Sequence, residues 1–279
     1  PAVVDAGAAF ELMHAFALFH DDVMDDADSR RGQPTTHTDF ADLHERHGWA
    51  GEPRRFGEGV AILIGDLAFV YADRLLRGAN TEAFAIWDEL RIELNVGQVL
   101  DILGSVRGVD SIEQAERICR YKSGKYTIER PLHLGAALAD PVRFRELEAG
   151  LSAYGLPLGD AFQMRDDVMG AFGDAATTGK PVGGDLREGK PTPLLARALA
   201  AADARQRDVL ARVGAPDMTD DEVAAAQQAI VASGALADLE STIARRTEAA
   251  LAALEMLDID DEPRRELVAL ADFVVRREV

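Results

Sequence analysis

The tetrapeptide Asp-Asp-Val-Met occurs twice, at 21–24 and again at 166–169. The first copy runs on as Asp25-Asp26-Ala27-Asp28-Ser29-Arg30-Arg31-Gly32, and the second is preceded by Phe162-Gln163. Adjacent carboxylates inside a run of helix formers repel one another unless a cation compensates. Two such clusters therefore favour a fold that holds several hard divalent cations between facing helices. Magnesium takes oxygen ligands and completes its octahedron with water and substrate phosphates, so a diphosphate substrate is the natural expectation.

The remainder of the chain reads as helix. Alanine, leucine, glutamate and arginine dominate, and β-branched runs are short. The pattern predicts helices near 2–27, 35–48, 55–77, 80–104, 111–121, 123–139, 142–173, 191–213, 219–232, 234–256 and 261–277. Pro34, Gly51-Glu52-Pro53, Asp140-Pro141 and Gly214-Ala215-Pro216 mark breaks. Thr219-Asp220-Asp221-Glu222 opens one helix as a capping box. No alternating strand run of convincing length is present, so the expected fold is an all-α, single-domain bundle of ten or more helices around a central cavity, covering 1–279. Pro1 lies inside a helical pattern, and the expectation is that N-terminal helices are missing upstream.

Composition narrows the functional classes. The net charge of −19 argues against nucleic-acid or anionic-membrane binding as the main role. One cysteine, Cys119, excludes an internal disulfide framework, fits a reducing cytoplasm and suits a buried helix position. No apolar stretch approaches the roughly 20 residues needed to span a bilayer, so stable membrane insertion is not expected.

On an ideal helix Asp25 lies about 40° from Asp21, and Asp28 falls on the same stripe. A solvated acidic helix end is the ordinary explanation of such a run. Here a largely apolar segment, Phe10 to His20, leads into it, and Arg30-Arg31 come directly after. Paired guanidiniums suit phosphate oxygens. In the second cluster Gln163 precedes Asp166 and Asp167 by one turn on the same face. Downstream, Gly173 to Lys190 is a glycine-rich loop carrying Lys180, Arg187 and Lys190. Gly184 to Lys190 satisfies G-x-x-x-x-G-K, but Pro191 occupies the place of the magnesium-binding Ser/Thr and no strand precedes it. A lid that brings lysines to a diphosphate is expected instead of a nucleotide-binding loop. His14 and His20 lie near the first cluster; magnesium does not favour imidazole, so packing or phosphate contact is expected of them. Trp49 and Trp87 read as packing or interface residues.

Taken in order, these segments resemble the trans-isoprenyl diphosphate synthases, or polyprenyl synthetases, most closely those making geranylgeranyl diphosphate. Asp21-Asp22-Val23-Met24-Asp25 with Arg30-Arg31-Gly32 resembles the first aspartate-rich motif, and Phe162-Gln163-Met164-Arg165-Asp166-Asp167 the second. Gly97-Gln98-Val99-Leu100-Asp101, Tyr121-Lys122-Ser123-Gly124, Thr178-Gly179-Lys180 and Glu188-Gly189-Lys190 match further segments. The resemblance implies the isoprenoid synthase fold and magnesium-assisted condensation of isopentenyl diphosphate with an allylic diphosphate (dimethylallyl, geranyl or farnesyl). It implies three magnesium ions bound with the diphosphate, and a homodimer. Asp21, Asp25, Asp101, Asp166 and Asp167 would ligate metal, with Asp22 in support. Arg30, Lys122, Lys180 and Lys190 would hold the allylic diphosphate and Arg31 the isopentenyl diphosphate. Gln163 and Ser123 would lie beside the reacting carbons.

Three departures stand out. Gly170 occupies the place of a third aspartate in the second motif, with Asp174 the next carboxylate in sequence. No Gly-Gly-Lys-x-x-Arg-Pro segment precedes the first motif, and Ser123 stands where threonine is frequent. Product length is expected to be set below the first motif. Ala17 would lie about 6 Å, Met13 about 12 Å and Phe10 about 16 Å beneath Asp21 along the helix. By resemblance Phe16 is the limiting residue, although an ideal wheel turns it away from Asp21. Together these features predict a C20 product, with C15 and then C25 as alternatives. A class I terpene cyclase and a non-catalytic subunit of a hetero-oligomeric synthase are the rival functions.

Overall fold

The computed structural model describes residues 2–108, 111–173 and 183–275. The chain forms two compact units, Pro1–Phe84 and Ala85–Val279.

The first unit contains helices α1 (Ala2–Met24), α2 (Thr36–His47) and α3 (Pro53–Leu76), with a short antiparallel ladder of β1 (Ser29–Arg30) and β2 (Gln33–Pro34). Both α1 and α2 pack on α3. Gly57, Ala61, Gly65, Ala68 and Ala72 are buried along α3 at intervals of three or four residues. Small side chains at that spacing let neighbouring backbones approach. At Gly57 the approach is so close that a Cβ would come within 2.0 Å of the His37 carbonyl oxygen.

The first acidic segment is less helical than expected. α1 ends at Met24; the Asp25 N–H still donates to the Asp21 carbonyl at 2.8 Å, but Asp26 turns left-handed at φ 53°. Asp28 therefore does not continue the stripe, and its carbonyl instead accepts Thr35 N–H at 3.0 Å. A second correction concerns hydropathy: α1 is long and apolar enough, by length and composition, to cross a membrane. Its alanines and few internal charges give it that character; in this structure it lies against α3.

In the second unit α4 (Thr81–Arg107, begun in the first) is followed by α5 (Ile112–Cys119), a π-helical segment (Arg120–Glu129) and α6 (Arg130–Ala139). Next come α7 (Pro141–Phe172), α8 (Gly184–Glu188), α9 (Pro193–Ala201) and α10 (Ala204–Leu210). The order ends with α11 (Asp220–Ala232), α12 (Ala235–Glu255) and α13 (Asp261–Val275). The all-α expectation holds. α7 is the organising element: the π-helical segment, α6, α12 and α13 pack against it. Its Ala161, Met164, Val168 and Ala171 enter a core with Leu194, Ile230, Leu239 and Ile243. Trp87 is fully buried.

In the second unit the helix pattern differs from expectation most at two places. The chain does not break near 122 but continues in π register, with the Arg130 N–H bonded to the Lys125 carbonyl. Pro131 lacks the N–H that an unbroken α-helical ladder needs there, which favours a changed register. The single helix expected over 191–213 is two, because Asp203 and Gln206 form a capping box that restarts the chain after Ala202. The capping box expected at Thr219 and Glu222 is present.

Candidate active site

The first unit carries one acidic cluster. Asp22 is 5% exposed, and its carboxylate accepts Arg30 Nε–H at 2.6 Å; Arg30 Nη2 lies 3.4 Å from Asp21. The β1–β2 turn, with Arg31 at φ 52°, folds the arginines back so that Arg30 meets the end of α1, while Arg31 itself is exposed. This cluster is partly neutralised from within the chain. His20 is fixed by the Ile62 carbonyl at 3.0 Å and Asp66 at 3.6 Å. His14 has its pKa lowered by burial, which exceeds the opposing pull of Glu11. Along α1, Met13 is fully buried, Phe10 and Ala17 are half-buried, and the Phe16 ring packs on Phe69 and His20.

The second unit holds an open cleft lined by Asp101, Cys119, Lys122, Ser123, Gln163, Asp166, Asp167, Asp185, Lys190 and Thr192. Three elements bring these residues together. On α4, Gly97 allows the backbone of Lys122 to press against it; a Cβ there would meet Lys122 N at 2.4 Å. Asp101, one turn further along α4, then receives Lys122 Nζ at 2.5 Å. The same π-helical segment crosses α7 where Gly124 and Gly159 face one another, so Ser123 also enters the cleft. On α7, Gln163 Nε2 donates to Asp167 Oδ1 at 2.9 Å, and the Cys119 thiol lies 3.7 Å from Oδ2.

Asp167 is buried while Asp166 is exposed. Burial, with Asp185 and Asp166 close by, pushes the Asp167 carboxyl well above the usual range, against the opposing hydrogen bonds from Gln163 and Cys119. Burial and the Asp167 charge likewise push the Cys119 thiol up, leaving it protonated and a poor metal ligand. The donors facing the cleft are thus carboxylate and amide oxygens, a set that fits magnesium and not a soft metal.

Of the residues singled out in the sequence, Asp101, Lys122, Ser123, Gln163, Asp166, Asp167 and Lys190 assemble here, while Asp21, Asp22, Asp25, Arg30, Arg31 and the α1 residues Phe10, Met13, Phe16 and Ala17 lie in the first unit. Lys180 and Asp174 lie outside the described residues. Lys190 is in the cleft, 2.9 Å from Glu188 and 3.9 Å from Asp185. Asp185, Cys119 and Thr192 were not anticipated as lining residues. The signal for Asp185 was present in the sequence: a carboxylate is lacking at Gly170, and Asp185 stands in the glycine-rich segment beside the lysines.

A cleft of carboxylates and lysines in an all-α chain is chemistry suited to diphosphates and hard cations. The chain belongs to the polyprenyl synthetase family, whose model matches residues 1–231, and it is accordingly a prenyltransferase. It is 32% identical over 284 residues to a geranylfarnesyl diphosphate synthase of Aeropyrum pernix, covering 98% of this chain and 82% of the relative. A geranylgeranyl diphosphate synthase of Mycobacterium tuberculosis is 33% identical, covering 97% and 73% of the two chains. The solved geranylgeranyl pyrophosphate synthase of Corynebacterium glutamicum, complexed with isoprenyl diphosphate and magnesium, superposes with a TM-score of 0.92 at 41% identity, covering 99% of this chain and 80% of that one.

Proposed function

We propose that this enzyme condenses isopentenyl diphosphate with an allylic diphosphate to make geranylgeranyl diphosphate. The observation that carries this reading is the cleft in which Asp101, Asp166 and Asp167 meet Lys122, Lys190 and Gln163. Asp21 and Asp25, with Asp22 in support, and Asp101, Asp166 and Asp167 hold magnesium, three ions in all. Bound magnesium stabilises the negative charge that develops on the diphosphate as its carbon–oxygen bond breaks. Lys122, Lys180, Lys190 and Arg30 grip the allylic diphosphate, and Arg31 grips the isopentenyl diphosphate. The double bond of isopentenyl diphosphate attacks the allylic cation beside Gln163 and Ser123. A proton then leaves to the released diphosphate, giving a chain longer by one five-carbon unit. Salt bridges such as Lys122–Asp101 position the cations before substrate arrives.

The C20 product is supported by α1: Ala17 leaves space beneath the first cluster, with Phe16, Met13 and Phe10 below. Two copies of the chain act together; Ile92, Val96 and Val99 form an exposed apolar stripe on α4 that a second copy would cover. The test is to supply isopentenyl diphosphate, magnesium and each allylic diphosphate in turn, and to weigh the products. A C20 diphosphate from wild type, lengthened by Phe10→Ala and Met13→Ala, is expected. A cyclic hydrocarbon, or no elongation at all, would rule the proposal out; an unchanged distribution in both variants would remove them as the floor.

A further inference from the structure

The π-helical segment carries Lys122 into the cleft, and a buried carboxylate holds it near each end. At its close, the Arg130 N–H bonds to the Lys125 carbonyl across five residues. The side chains of those same two residues clasp Glu93 of α4: Arg130 from Nε at 2.6 Å and Nη2 at 2.7 Å, Lys125 from Nζ at 2.8 Å. At its start, Arg120 reaches Asp160 of α7 from Nε at 3.1 Å and Nη2 at 2.5 Å, and Arg246 Nη1 lies 3.8 Å from the same carboxylate. Glu93 is 7% and Asp160 2% exposed. Glu129, also buried, accepts the Ser152 hydroxyl of α7 at 2.8 Å and lies 3.0 Å from Lys125 Nζ, so around Glu93 two carboxylates face two cations.

Glu93 and Asp160 stand about two turns before Asp101 and Asp167, on the helices that present those carboxylates to the cleft. Between the two anchors, Gly97 admits the Lys122 backbone against α4. A π register is uncommon and mostly confined to single turns, so a stretch this long needs contacts that hold it. A slip of one residue would turn one end of the segment by about 100° against the other and swing the Lys122 stem with it. Buried ion pairs add little net stability over apolar side chains of the same volume; what they can do is fix one geometry. We infer that Glu93 and Asp160 are positioning residues that lock the π register, and through it set where Lys122 meets the diphosphate. Neither lines the cleft; each acts through the segment strung between them. The inference rests on the proposed grip of Lys122 on the allylic diphosphate.

The test is a double-mutant cycle read by magnesium-dependent binding of inorganic pyrophosphate to the full chain, with thermal melting and prenyl transfer alongside. Glu93→Gln removes the charge that clasps Lys125 and Arg130. Arg120→Gln releases the other anchor but leaves Asp160 its second guanidinium, Arg246. Each is expected to weaken binding about tenfold to a hundredfold. In a Lys122→Gln background neither change should cost anything further, because the group that it positions is gone. Losses that multiply in that background would mark a merely structural role and overturn the inference. Wild-type binding by either folded variant overturns it too, and the cycle on Arg120→Gln decides alone if Glu93→Gln does not fold. A Lys122→Gln chain that binds pyrophosphate as wild type does removes the proposed grip, and the inference with it. A wild-type chain whose binding depends on Lys122 but which transfers no prenyl group sinks the proposed function and leaves the inference standing.

Discussion

The two acidic clusters share four residues of sequence and solve the problem of crowded charge in opposite ways. In the first unit Asp22 is buried against a guanidinium 2.6 Å away, brought back by a two-residue ladder. In the second, Asp167 is buried with neutral donors, Gln163 and Cys119, and with two further carboxylates nearby. One cluster carries its own counter-charge. At the other, the buried carboxylate is bonded by neutral groups. The difference teaches that a repeated motif does not fix a repeated environment; in the first unit it is the hairpin downstream of the motif that returns a guanidinium to it.

The comparison is most easily broken at the second cluster. Asp166→Asn and Asp167→Asn are each expected to lower kcat/KM by roughly 10²–10³, the scale of losing one preorganised charge-stabilising group. Asp167→Asn should nevertheless melt at or above the wild-type temperature, because a neutral amide removes buried repulsion while Gln163 can still bond to it. A marked fall in melting temperature for this variant would show that the carboxylate is compensated within the chain after all. Next in size is the first cluster. Asp22→Asn leaves Arg30 without its close partner and should cost about 1–3 kcal/mol of stability. Chemical denaturation checks this, and an unchanged midpoint would place Asp22 with Asp167 instead of opposite it.

Legibility in the sequence divides along the same line. The clusters, Lys122, Lys190 and the all-α fold are local patterns: charge spacing, helix formers and punctuating Gly and Pro suffice for them. The end of α1 differs by a few residues because the left-handed turn at Asp26 is set by the return of the hairpin, not by helix propensity. The π-helical segment is invisible in the sequence because it depends on Pro131 and on Gly124 lying against Gly159 of α7. Asp185 is legible only in part, for a related reason. Its place among the lysines of the glycine-rich segment is legible, but its close approach to Gly170, fifteen residues earlier in the chain, is a tertiary contact.

The smallest effect extends the comparison to a buried base. His133 is 1% exposed; Glu129, Arg130, Lys125 and Glu93 surround it, Ser152 lies 3.1 Å from Nε2, and the Phe144 ring packs alongside. Burial, opposed by Glu129 and reinforced by Arg130 and Lys125, brings its pKa down to about 4 from 6.5. The folded state therefore binds fewer protons than the unfolded chain between pH 6.5 and 4. Stability from this group is fully present above that window and declines as pH falls through it. Between pH 7 and 5.5 the expected loss is about 1 kcal/mol. Urea unfolding at the two pH values should show that loss in wild type and not in His133→Gln, whose amide can still bond to Ser152. A wild type that instead gains stability relative to His133→Gln as pH falls would mean that His133 is charged in the fold, paired with Glu129 in the manner of Asp22 with Arg30. Away from the cleft the second unit already neutralises buried carboxylates from within, Glu93 with Arg130 at 2.6 Å and Asp160 with Arg120 at 2.5 Å, so His133 would join that set and the contrast would narrow to the cleft itself.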